Sequence, residues 1–141
     1  MRSRCQGRPV TELASTMTPR EIANQAAHAI AVLNELTNGG GELSNSTDVR
    51  SIVRSLELIG QGLPQLCEQL ARFLVIQHED GQLTNADGLD PDDSVTEVIE
   101  ALSAAGQAAD MMTAALTEAR AASQVLSPAR PRGWESRPDA D

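Results

Sequence analysis

The sequence predicts an all-α chain, and two observations carry that prediction. Apolar residues recur every three to four positions along three separate segments. Period-two alternation and hairpin dipeptides between β-branched runs are missing, so no strand is expected. The expected architecture is an antiparallel three-helix bundle built on a long helical hairpin, its second helix kinked near Pro64. Residues 18–126 form the helical domain, flanked by an N-terminal arm (residues 1–17) and a C-terminal tail (residues 127–141), both expected to be disordered.

The first helix opens at Thr18-Pro19-Arg20-Glu21. Thr18 caps, Pro19 suits the first helical position, and Glu21 closes a capping box. Ile22, Ala26, Ala29, Ile30, Leu33 and Leu36 then share one face. Gly39-Gly40-Gly41 ends the helix, which spans Pro19 to Asn38, about 30 Å. Met17, just before the capping box, is a second possible start of translation.

Asn45-Ser46-Thr47-Asp48 signals the next start. Val49, Ile52, Leu56, Ile59, Leu63, Leu66, Leu70 and Phe73 keep alternating three-four spacing across Gly60, Gly62 and Pro64. Pro64 has no N–H for the carbonyl of Gly60, so a kink is expected there. The unbroken phase argues for one helix from Asp48 to Glu79, about 48 Å long.

The connection is acidic, with six acids and no base from Glu79 to Asp93. Asp90 is placed to cap the third helix and Pro91 to take its first position. Val95, Val98, Leu102, Ala105, Ala109, Met112, Leu116, Ala119, Ser123 and Leu126 continue the spacing, giving a helix to Leu126, about 54 Å. Pro128 and Pro131 prevent its continuation.

Charge excludes several functions. The chain has 11 basic residues, all arginine, against 20 acids, for a net charge of −9. Between Val10 and Leu126 there are 17 acids and 5 arginines. Phosphate backbones and anionic lipid surfaces need clustered cations, so neither nucleic acid nor membrane is an expected partner. No apolar run approaches the ~20 residues of a membrane span. Two cysteines, Cys5 and Cys67, do not make a disulfide framework. The expected setting is the cytoplasm, and the Arg and Ala bias suggests a GC-rich bacterial genome.

No motif carries a cofactor. His28 points away from the apolar face of its helix. His78 complements a helix C-terminus. The loop around Gly88 has Asn85 and Asp87 where a calcium loop needs ligands. Leu83 and Ser94, however, occupy the two anchoring positions. Glu97-Val-Ile-Glu100 resembles the first half of the magnesium motif of MazG-type nucleotide pyrophosphohydrolases, and Glu118 is placed to begin the second, but the resemblance fails. Ala121 stands where that motif needs an aspartate, and both halves would share one helix. Trp134, in the tail, is a candidate short linear motif.

The expected function is therefore a non-enzymatic interaction module: an adaptor, regulator or assembly component. The rival is a metal-dependent hydrolase using Asp93, Glu97 and Glu100, which would need facing carboxylates from Glu68, Glu79 or Asp80. The first helix is the shortest and must lie along the half of the hairpin beside its glycine loop. That leaves Leu66, Leu70, Phe73 and Leu74, with Val95, Val98, Ile99 and Leu102, as the expected contact patch for a homodimer or a protein partner. Val10, Leu13 and Met17 folding back, or a sharp bend at Pro64, would instead cover it.

The arms lack apolar periodicity. A chain trimmed to residues 17–127 is expected to keep the helical circular dichroism and melting point of the full chain. A fall of several degrees would show that an arm docks.

Overall fold

A computed structural model describes residues 16–127. Among them are three long helices and no strand: α1 (Pro19–Thr37), α2 (Ser46–Glu79) and α3 (Asp92–Ser123). A single 3-10 turn, Asn38–Gly40, follows α1. The all-α expectation is met. The chain divides into two compact units, Met1–Ser44 and Asn45–Asp141.

The first unit contains α1. Its start is the expected capping box: Glu21 N–H donates to Thr18 Oγ1 (3.2 Å) and Thr18 N–H donates to Glu21 Oε2 (2.8 Å). At its end Gly39 and Gly40 take φ of 65° and 81°, which residues with a Cβ adopt at a cost. Glu42 N–H then closes back on the carbonyl of Leu36 at 3.0 Å. None of the residues of α1 is buried; Leu33 and Thr37 are half-buried.

The second unit is an antiparallel hairpin of α2 and α3. Asn45 caps α2, its Oδ1 accepting from Thr47 N–H (2.8 Å) and Asp48 N–H (3.3 Å). The helix therefore starts at Ser46, earlier than Asp48, because the asparagine side chain satisfies the first free donors. It continues through Gly60, Gly62 and Pro64 to Glu79 as one element. In the loop, Asn85 Nδ2 donates to the carbonyl of Asp90 (3.1 Å). Asp90 Oδ1 accepts from Asp92 N–H (3.0 Å), and Pro91 already has helical angles, φ −76° and ψ −2°. The helix thus starts at Asp92, one residue later than expected: Pro91 is its N-cap, with no side-chain capping bond, and Asp90 makes an i to i+2 turn ahead of it. The far end of α3 stops at Ser123 rather than Leu126. There Arg50 Nη2, from α2, donates to the carbonyls of Ser123 and Leu126, each at 3.1 Å.

The packed seam differs from the most apolar stripe. On α2 the buried and half-buried positions Arg50, Val53, Glu57, Gly60, Pro64, Cys67, Ala71 and Leu74 alternate four and three apart. On α3 the matching row is Val95, Ile99, Leu102, Gly106, Ala109, Thr113, Leu116, Arg120 and Ser123. This is a heptad seam, rich in small and polar residues. The bulky stripe of α2, from Val49 to Phe73, lies one position to the side. Close approach explains the choice. A Cβ added at Gly106 would lie 3.6 Å from Pro64 Cα and 3.8 Å from Cys67 Cβ. One added at Gly60 would lie 2.3 Å from Thr113 Oγ1 and 3.1 Å from Met112 Cε. Small residues bring the two axes together, and Leu or Phe at those positions would hold them apart. The cost is a thin core: Val95 and Ala109 are the buried apolar side chains among the described residues.

Two glycines of α2 separate packing from helix propensity. Gly62→Ala meets nothing within 4 Å and is expected to stabilise the hairpin by about 0.5–1 kcal/mol. Gly60→Ala gains the same propensity but displaces Thr113, whose hydroxyl donates to the carbonyl of Ala109 at 2.8 Å. A net destabilisation of about 1–3 kcal/mol is expected. Urea denaturation of the two variants measures both; equal effects would mean that Gly60 is not a close contact.

Candidate interaction face

The hairpin has two unlike sides. Beside the seam on one side run the residues that immediately precede the seam positions. In an antiparallel pair these lie together, and Gly60 shows it: the Met112 methyl is its neighbour. On this side α2 presents Val49, Ile52, Leu56, Ile59, Leu63, Leu66, Leu70 and Phe73. From α3 come Val98 and Met112 with Ala101, Ala105, Ala108, Ala115, Ala119 and Ala122. No position in either stripe is charged. Val49, Ile59, Leu66, Leu70, Phe73, Val98 and Met112 are 41–58% exposed. Single exposed apolar residues are ordinary, whereas a continuous stripe over seven turns is not.

The opposite side is mostly polar, with Leu58 and Val75 the large apolar residues exposed in its α2 row. It carries Arg54, Gln61, Gln65, Glu68 and Arg72 from α2 and Glu100, Ser103, Asp110 and Thr117 from α3. Arg72 and Glu68 form a 2.8 Å ion pair there. Solvent is the natural neighbour of this side, which makes the apolar side the one with contacts to make.

The eight residues expected to form a contact patch are divided by this geometry. Leu66, Leu70, Phe73 and Val98 lie on the exposed face. Val95 is buried at 9% exposure, and Leu74, Ile99 and Leu102 are half-buried along the seam, so these four hold the hairpin together. The sequence spacing treats both sets alike because they lie one position apart on the same helices.

One polar network was not foreseen. Glu57 is 3% exposed, on the seam of α2. Its carboxylate accepts from Arg120 Nε (2.7 Å), Thr117 Oγ1 (2.8 Å) and Arg54 Nη1 (3.3 Å). The Arg120 guanidinium, then the Thr117 hydroxyl, hold its pKa down from the ordinary 4.5 to about 2, against the opposing effect of burial. The available signal was Arg50 and Glu57, seven residues apart, but a search for apolar stripes passes over a polar seam. Arg50, Arg54 and Arg120 also line one open groove of about 370 Å³. Arg50 is bonded to the α3 terminus and the other two to Glu57.

The remaining candidates that the structure describes lie apart from one another. Asp93, Glu97 and Glu100 are exposed on α3. Among the described residues, no three His, Cys, Asp or Glu side chains are grouped to hold a metal ion. His78 Nε2 is instead paired with Asp92 Oδ1 across the loop end of the hairpin. Cys67 is a free thiol, half-buried on the seam. His28 is exposed on α1. Cys5, Val10, Leu13 and Trp134 lie outside the described residues. No described helix is long and apolar enough to cross a membrane. No family model matches the chain, and neither a curated protein nor a solved structure matches it.

The Glu57 network makes acid stability testable. A depressed folded pKa contributes stability that is complete above the unfolded value and is lost as the pH falls through the folded one. The melting temperature is therefore expected to fall between about pH 4.5 and pH 2. Glu57→Gln should melt several degrees lower at neutral pH and respond less to pH across that window. An unchanged pH profile would show that Glu57 is not held by Arg120 in solution.

Proposed function

We propose that this chain is a small, acidic, non-enzymatic interaction module of the bacterial cytoplasm, which associates with a protein partner or a second copy through helix faces. The observation that carries this reading is the uncharged apolar stripe of α2, exposed alongside the alanine stripe of α3. The area left open is large for a hairpin whose own seam buries so little. Protein association is the usual use of such a surface.

The contact residues on this reading are Leu66, Leu70, Phe73 and Val98, with Leu74, Val95, Ile99 and Leu102 supporting them from the seam. No cofactor, nucleic acid or small-molecule substrate is part of it.

The test is a double variant, Leu70→Glu with Phe73→Glu. Both side chains are about half exposed (48% and 58%), so the hairpin should fold and keep its helical circular dichroism. The variant should lose a binding partner or an oligomeric state that the wild type has. If wild type and variant are indistinguishable in size and in every captured partner, the reading is wrong. Chemical-shift changes at Glu97 and Glu100 on adding magnesium would favour a hydrolase instead.

A further inference from the structure

We infer that the apolar face of the α2–α3 hairpin is occupied by a second copy of this chain. The two hairpins would lie face to face about a two-fold axis running along their length. The inference rests on the reading of the hairpin as an interaction module and names its partner.

The face is complementary to itself. Its α2 half is a ridge of large side chains, typified by Ile59, Leu66, Leu70 and Phe73, and its α3 half is paved with alanines such as Ala105 and Ala108. A two-fold axis parallel to the hairpin places the ridge of each copy over the alanines of the other. One set of contacts is then made twice, as a symmetric interface requires. An axis across the hairpin would stack ridge on ridge and leave the alanine stripes apart. The chain thus carries both halves of the fit, which a surface made for a foreign helix does not need.

Charge and area agree with this occupant. Two acidic chains meet at low electrostatic cost only through an uncharged surface, and this face carries no charge from Val49 to Phe73. Seven side chains at 41–58% exposure, with the alanines between them, present on the order of 600–800 Å². A stable dimer uses ~800 Å² per partner. Length matters too. The α2 stripe spans 25 residues, about 36 Å, whereas the apolar face of α1 from Ile22 to Leu36 is about 21 Å long.

The same arrangement gathers both acidic loops at one end. Those charges are solvated and screened, so they set a salt dependence rather than prevent the fit. Raising the ionic strength should tighten the dimer.

Sedimentation equilibrium on the full chain tests each element. Wild type is expected to be dimeric. Leu66→Glu puts a carboxylate against alanine and should raise the dimer Kd at least about 100-fold. Ala105→Trp fills the alanine stripe and should do the same. Gln107→Glu, on the polar side of the hairpin, should leave the dimer intact. Circular dichroism confirms that each variant is folded. A wild-type monomer at the highest soluble concentration overturns the second copy as occupant. The module reading is then judged separately, by whether Leu70→Glu with Phe73→Glu loses a foreign partner. A dimer that survives Ala105→Trp, or that weakens with salt, overturns the proposed axis.

Discussion

Everything in the hairpin depends on how closely α2 and α3 approach. Gly60 and Gly106 let the backbone of each helix meet the side chains of the other, and Ala71 and Ala109 continue the contact. Such a seam gains stability from dispersion between well-fitted atoms more than from apolar area, because small residues have little area to remove from water. Its specificity comes from elsewhere. Glu57 finds Thr117 and Arg120 only when the two helices have one register, and a slip of a single turn would strand a buried carboxylate. Close packing holds the pair, and the charge network selects which pair it is.

The same constraint explains why the surface looks as it does. With glycine, proline, cysteine and alanine at the inner positions from Gly60 to Ala71, the large side chains of that stretch of α2 lie beside the seam. An exposed Leu66 or Phe73 is thus the other face of a small-residue seam. Ile52, Leu56 and Leu63 are half-buried at its edge, where the two environments merge.

Local signals were legible in the sequence, whereas the pairing was not. Thr18 with Glu21, Asn45 ahead of the second helix, and Asp90-Pro91 all act within one turn, so residue type alone determines what they do. The continuity of α2 across Pro64 could be read from the apolar phase. That phase also misled. It did not separate the packed seam from the bulky stripe beside it, and so put Leu74, Val95, Ile99 and Leu102 in the same patch as Leu70 and Phe73, since it counts apolar atoms and not the distance between helix axes. Glu57 was invisible for a related reason. Two of its partners lie 60 and 63 positions away, and the third, Arg54, is an ordinary i to i+3 neighbour that does not mark it as buried.

The order of the contacts along the hairpin has a kinetic meaning. His78 and Asp92 meet across a span of 14 residues, whereas Arg50 reaches the carbonyls of Ser123 and Leu126 across 73 and 76. Loop closure is least costly for the short span, so the two helices are expected to pair first beside the acidic loop and last at the Arg50 end. On that order the contact of the guanidinium with the last carbonyls of α3 is expected to be the last to form. The Arg50 clasp is the latch of a structure that otherwise opens like a pair of tongs hinged at the loop, and the first surface such opening bares is the polar network around Glu57.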